Sequence, residues 1–294
     1  MNEPVRDRKA EPGRDRDRSY PPSPEPLAIE VVDSHCHLDI RDGDEWMSVD
    51  EALSSAKAAG VGGIVQIGCD LPSARWSVEV ANAHENIVAG VSLHPNEAPR
   101  LESQGRAVLE DAWAEIDSLA ADPRVRAVGE TGLDYFRTGE GGRGVQEESF
   151  RQHIAMAKKH GKALVIHDRD AHDDVVKVLQ SEGAPQLVVF HCFSGGPELA
   201  RVCAENGWVM SFAGTVTFKN AQLLREALRL APLDLVLVET DAPYLTPMPY
   251  RGRPNASYLI PLTVRVMAQV KGVDETVMAT AISVNSERVF GPLT

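Results

Sequence analysis

Apolar residues along the chain gather in short runs, and each run gives way to polar residues and then to a helical stretch. Eight such runs follow one another from Leu27 onward: IEVVDSHCH, VGGIVQIG, IVAGVSLH, VRAVGETG, ALVIH, LVVFHCF, WVMSFAG and LDLVLVETD. They are rich in β-branched residues and continuous rather than alternating, the pattern of strands buried on both faces of a parallel sheet. Between them lie amphipathic segments such as VDEALSSAKAAG, VLEDAWAEIDSLAAD, VQEESFRQHIAMAKKHG and AQLLREALRLAP. Several of these end in Gly or Pro, which stop helices. Two more helices are expected near Tyr258–Lys271 and Asp274–Val289. Eight β/α units predict a TIM-like (β/α)8 barrel, a single domain over residues 27–294. An open doubly wound sheet is the rival, but no GxGxxG follows the first strand.

Residues 1–26 break the pattern. Arg and Asp alternate, then proline takes over in YPPSPEP. With little apolar surface to bury, this stretch reads as a disordered tail.

The strand pattern also locates the chemistry. Metal-competent side chains stand at the C-terminal ends of the runs: His35 and His37, His94, Glu130, His167, His191 and Asp241. In a β/α barrel those ends converge on one mouth, where active sites form. On a strand, residues i and i+2 share a face, so His35 and His37 can reach one cation while Cys36 turns away. Glu130 carries two oxygens and can bridge two cations, and Gly129 and Gly132 beside it permit close backbone approach. His167 and His191 end adjacent strands at equivalent places, which a shared cation explains. Asp241 can bind a cation and serve as general base to a water. His94 suits a contact to a substrate phosphate or leaving oxygen. Arg169 is a further candidate phosphate contact, and Lys219, Arg251 and Arg253 add positive charge on late loops.

A net charge of −13 argues against nucleic acid as a partner when taken alone. The objection weakens if the acids hold divalent cations, whose own charge then dominates the local field. Four cysteines form no CxxC pair and suggest reduced, buried thiols. The N-terminus lacks the apolar stretch of a secretory signal, and no run is long enough to cross a bilayer. A cytoplasmic protein with no membrane association, monomeric in solution, is expected.

The segments VDSHCHLD, SLHP, VGETGLDY, VIHDRDA, VFHCFSG, SFAGTVTFKNA, LVETDAPYL and RGRPN, in this order, resemble the TatD deoxyribonuclease family of metal-dependent hydrolases. The resemblance covers nearly all of Val31 to Asn255. It implies two divalent ions (Mg²⁺, Mn²⁺ or Zn²⁺), one held by His35, His37 and Asp241, the other by His167 and His191, with Glu130 bridging. It implies His94, Glu130 and Asp241 as catalytic residues. The substrate is then DNA, single-stranded or at 3′ ends, cleaved as by a 3′–5′ exonuclease, with His94, Arg169, Lys219 and Arg251 as its contacts. Related barrels hydrolyse esters or amides, often with a carbamylated Lys where Glu130 stands, and an aminoacyl-tRNA ester is a further substrate to weigh; a barrel that binds metal without turnover is a third reading. The pattern departs from the family at Ala256 and Ser257, where Glu and Pro are frequent, and at Tyr250, where His is frequent. These positions put loop shape and substrate preference in doubt, but not the metal ligands.

Overall fold

A computed structural model describes residues 6–8, 16–44 and 46–293. The eight apolar runs become eight parallel strands: β1 (Val31–Cys36), β2 (Val61–Gly68), β3 (Ile87–Val91), β4 (Val125–Asp134), β5 (Ala163–Arg169), β6 (Val188–Phe190), β7 (Val209–Phe212) and β8 (Val236–Val238). Each pairs with the next in chain order. That order excludes the doubly wound rival, whose strand order reverses at a switch point.

The ring closes just past the end of β8. The Asp241 N–H donates to the His35 carbonyl at 2.9 Å, and the His37 N–H donates to the Ala242 carbonyl at 2.9 Å. Closure places the last candidate ligand directly against the first two. Buried Asp33 locks the seam. Its carboxylate accepts from the Thr240 N–H at 2.9 Å, the Thr240 hydroxyl at 2.6 Å and the Ser257 hydroxyl at 2.7 Å. Ser257, one of the departures from the family pattern, is therefore a seam residue.

Helices cover the barrel from outside: α1 (Val49–Ala58), α2 (Leu71–Ala83), α3 (Glu97–Glu102), α4 (Arg106–Leu119), α5 (Glu140–His160), α6 (His172–Glu182), α7 (Pro197–Asn206) and α8 (Gln222–Leu230). The expected C-terminal pair is present as α9 (Ile260–Lys271) and α10 (Glu275–Phe290). Their ends follow local chemistry. Ser48 and Glu51 form a capping box at the start of α1, and left-handed glycines Gly161, Gly207 and Gly272 end α5, α7 and α9. One continuous apolar core joins the strands to the inner helix faces.

The stretch read as a tail falls partly on residues 1–5 and 9–15, outside the described residues. Its described parts lie along the β1 and β8 loops. Arg6–Asp7 pairs with Ile40–Arg41, Arg8 and Arg16 bond the Asp42 carboxylate, and the Tyr20 hydroxyl donates to the Asp42 carbonyl. Arg253 donates to the backbone of Ser19 and Tyr20. Its charge is thus committed to holding this segment rather than free on a late loop. Among the described residues, no helix is long and apolar enough to cross a membrane.

Replacing Asp33 with alanine would strand three buried donors across the seam. Each unsatisfied group costs on the order of 1 kcal/mol or more, so Asp33→Ala should lower the unfolding free energy by about 3 kcal/mol in urea titrations. A loss below about 1 kcal/mol would mean that the seam does not depend on this carboxylate.

Candidate metal centre

The barrel's convergence brings seven of the candidate residues together at the C-terminal mouth. Glu130 is the hub. Its Oε2 lies 2.6 Å from His191 Nε2, 3.5 Å from His35 Nε2 and 3.5 Å from His167 Nδ1. Its Oε1 lies 3.4 Å from His94 Nε2. Asp241 Oδ1 sits 3.3 Å from His37 Nε2 and 4.0 Å from His35 Nε2. The imidazoles touch one another as well: His35 stacks on His191 with centroids 3.9 Å apart, and His94 meets His167 at 4.5 Å.

The glycines beside Glu130 make this approach possible. Gly129 and Gly132 both have positive φ, and a side chain at either would collide with β5. A Cβ at Gly129 would lie 2.3 Å from the Val165 carbonyl oxygen, and one at Gly132 would lie 2.2 Å from that of His167. Bulkier residues would push β4 away from the strand that carries His167.

Ring orientations are set by second partners. His37 Nδ1 donates to the Ile67 carbonyl at 3.0 Å, which leaves Nε2 facing Asp241. His191 Nδ1 bonds Glu239 at 3.2 Å, which turns Nε2 to Glu130. Carboxylate or carbonyl partners of this kind orient metal-binding imidazoles. His94 differs. Its Nδ1 accepts from the Asn96 N–H at 3.1 Å, so in neutral His94 the proton sits on Nε2, which points at Glu130. Neutral His94 in that tautomer presents a hydrogen-bond donor to Glu130.

Charge and burial act on these groups in opposite directions. Burial, reinforced by His191, holds His35 well below the ordinary imidazole range. Burial and His167 push His94 down to about 3, so it stays neutral at physiological pH. Burial also opposes ionisation of Glu130, but His191 and His94 outweigh it and hold the carboxyl well below its usual range. His191 is raised well above its usual value: burial works against this, and Glu130 and Glu239 overcome it. His37 is raised in the same way against burial, by the Cys69 sulfur and Asp241. His167 is raised against burial by Asp134 and Glu130.

A divalent cation suits this donor set. Among the described residues, neither ring nitrogen of His35 or His167 finds a hydrogen-bond partner, although all four atoms are buried. Buried polar atoms without partners are costly, and a cation satisfies them. Candidate ligand atoms within 4.8 Å of one another form the groups His35–Glu130–His191 and His35–His37–Asp241, which share His35. Mixed imidazole and carboxylate donors accommodate zinc, manganese or magnesium.

Three residues of the site do not stand out in the sequence. Asp134 Oδ2 lies 3.4 Å from His167 Nε2, and Asp134, His94 and His167 form a further candidate group. Glu239 orients His191. Cys69 Sγ lies 3.5 Å from Glu130 Oε1. Asp134 and Glu239 stand inside the motifs GETGLD and VETD, at even spacing from Glu130 and Asp241. Their place beside Glu130 and Asp241 in those motifs was the available signal for both. The predicted substrate contacts separate. Arg169 stacks on Phe136 at the end of β5. Lys219 is exposed, and Arg251 lies over Phe218, on loops after β7 and β8. These three line the rim rather than the cluster.

The model of the family described as TatD related DNase matches residues 32–291. The chain belongs to that family. A Mycobacterium tuberculosis protein described as an uncharacterized metal-dependent hydrolase, TatD, is 43% identical over 265 residues, covering 89% of this chain and 98% of that one. The Escherichia coli metal-dependent hydrolase YcfH, also described as uncharacterized, is 37% identical over 262 residues, covering 88% and 95%. The crystal structure of YjjV, a TatD homolog of Escherichia coli, matches with a TM-score of 0.79 at 25% identity, over 89% of this chain and 98% of that one. A TatD-family hydrolase structure from Entamoeba histolytica matches in fold, with a TM-score of 0.78 at 20% identity over 90% and 99%. This TatD-family chain is a metal-dependent hydrolase.

Because His37 and His191 are held well above the ordinary imidazole range, a cation that takes their nitrogens must displace protons at neutral pH. Raised values mean that these groups stay protonated to higher pH than a free imidazole, so metal affinity should still be climbing with pH above the ordinary imidazole range and drop as pH falls. Calorimetric titration with Mn²⁺ in two buffers of different ionisation enthalpy should report release of about one proton or more per ion. Identical heats in both buffers would contradict these protonation states.

Proposed function

We propose that this TatD-family hydrolase cleaves phosphodiester bonds in DNA, removing nucleotides from 3′ ends, as a monomer that works on single strands. The observation that carries the reading is the buried Glu130 carboxylate shared by imidazoles from three other strands, with Asp241 at the open edge. The side chain of Asp241 is 16% exposed, against 8% for Glu130. The family's description as DNases and the cations on the rim favour DNA over other esters.

In this reading His35, His37 and Asp241 would hold one divalent ion and His167 and His191 a second, with Glu130 available to both. When bound, such ions neutralise phosphate charge and make water more acidic. The chain's own residues do the rest. Asp241, reachable from solvent, accepts the proton of the water that attacks phosphorus, while the P–O3′ bond breaks and the departing O3′ of the shortened strand takes up a proton. His94, neutral with its proton on Nε2, donates to a phosphate oxygen. Arg169, Lys219 and Arg251 offer positive charge to neighbouring phosphates along the rim. Glu239 keeps the His191 ring in register, and Asp134 does the same for His167.

A 5′-labelled single-stranded oligonucleotide incubated with Mg²⁺ or Mn²⁺ should give a ladder shortened from the 3′ end. EDTA should abolish it. Glu130→Ala and Asp241→Asn should each slow it by at least about 10²-fold. Full-length product with the metal-loaded wild type would move the assignment to carboxyl-ester, amide or aminoacyl-tRNA substrates on the same centre.

A further inference from the structure

We infer that Phe136, with Arg169 on its ring, is a platform on which a nucleobase of a single-stranded substrate stacks at the rim of the metal centre. The inference rests on the DNA reading above and adds a residue that contacts the base rather than the phosphate.

The rim between β4 and β5 is tightly built. Asp134 and Arg169 are paired across the two strands, and the Tyr135 N–H donates to the Arg169 carbonyl at 2.9 Å. The chain then turns on the Asp134 carboxylate, which accepts from the Arg137 N–H at 2.8 Å. Tyr135 is tied down by its hydroxyl, which donates to Asp174 at 2.9 Å. Phe136 makes no comparable commitment: it is 64% exposed, and the other exposed large aromatic among the described residues, Trp46, is 38% exposed. The Arg169 guanidinium lies 3.9 Å from the Phe136 ring centroid. A ring so exposed cannot be covered by one guanidinium on both faces.

Location decides what this exposed ring can serve. Phe136 lies two residues beyond Asp134, whose carboxylate is 3.4 Å from His167. Arg169 lies two residues beyond His167. A ligand that meets both groups at the mouth must present a flat π-face and a negative charge a few ångströms from it. A nucleotide does so, with its base on the ring and its phosphate on the guanidinium. Stacking of this kind tolerates any base, as a nuclease without sequence preference requires. The second arginine–phenylalanine pair on the rim, Arg251 and Phe218, offers less, because Phe218 is half-buried.

The test compares the wild type with Phe136→Ala and Phe136→Tyr on two oligonucleotides, one of thymidines and one whose 3′-terminal sugars carry no base. Metal-dependent cleavage gives KM and kcat, and fluorescence anisotropy in Ca²⁺ gives binding without relying on turnover. Phe136→Ala should weaken binding of the thymidine strand by on the order of tenfold, with the loss falling on KM rather than kcat, and Phe136→Tyr should restore most of it. The strand without bases should bind the wild type as weakly as the thymidine strand binds Phe136→Ala, and the alanine variant should lose nothing further on it. Equal losses on both strands, or no loss on the thymidine strand, would overturn the platform. A wild type that binds with this dependence on Phe136 but does not cleave would refute the nuclease reading and leave the platform standing. A wild type that neither binds nor cleaves would refute both.

Discussion

The centre depends on one buried carboxylate. Glu130 is carried by β4 into the middle of the barrel mouth, where His35, His167 and His191 converge on a single one of its oxygens. An isolated carboxylate at that depth would take up a proton. Surrounding imidazoles hold it ionised instead. Burial and neighbouring imidazoles lower His35 and His94, whereas carboxylates raise His167 and His191 against burial. An arrangement of this kind, with imidazole nitrogens left without hydrogen bonds, is strained as a purely structural device and makes sense as a cation site.

Everything that holds Glu130 in place is a property of the closed barrel. The β4 and β5 backbones approach so closely that only glycine fits at positions 129 and 132. The seam between β1 and the chain beyond β8 brings Asp241 to His35 and His37, and Asp33 fixes that seam from beneath with three hydrogen bonds. Strand order, closure and ligand geometry are therefore linked: loosening the seam would separate Asp241 from the histidines it faces.

The barrel was legible in the sequence because continuous apolar runs alternating with amphipathic segments admit few architectures, and each run matched a strand within a few residues. The positions of His35, His37, Glu130, His167, His191 and Asp241 were legible for the same reason, as polar residues that interrupt apolar strand ends. Less visible were contacts set by register between strands. Asp134 reaches His167 because Gly132, not Asp134, pairs with that histidine, and Cys69 reaches Glu130 from the end of β2. The contacts that the described residues before Leu27 make were not legible in the sequence, because they join distant charged partners, apart from Tyr20 packed against Tyr258 and Leu259. Arg8 and Arg16 meet Asp42, and Arg253 meets Ser19 and Tyr20.

In the proposed centre Glu130 would join two sets of ligands around two cations. Crystals grown with Mn²⁺ and measured for anomalous scattering test it directly. Two peaks about 3.5–4 Å apart on either side of the Glu130 carboxylate, one beside His35, His37 and Asp241 and the other beside His167 and His191, are expected. A single peak that Glu130 does not touch, or two ions bound without it, would contradict the account.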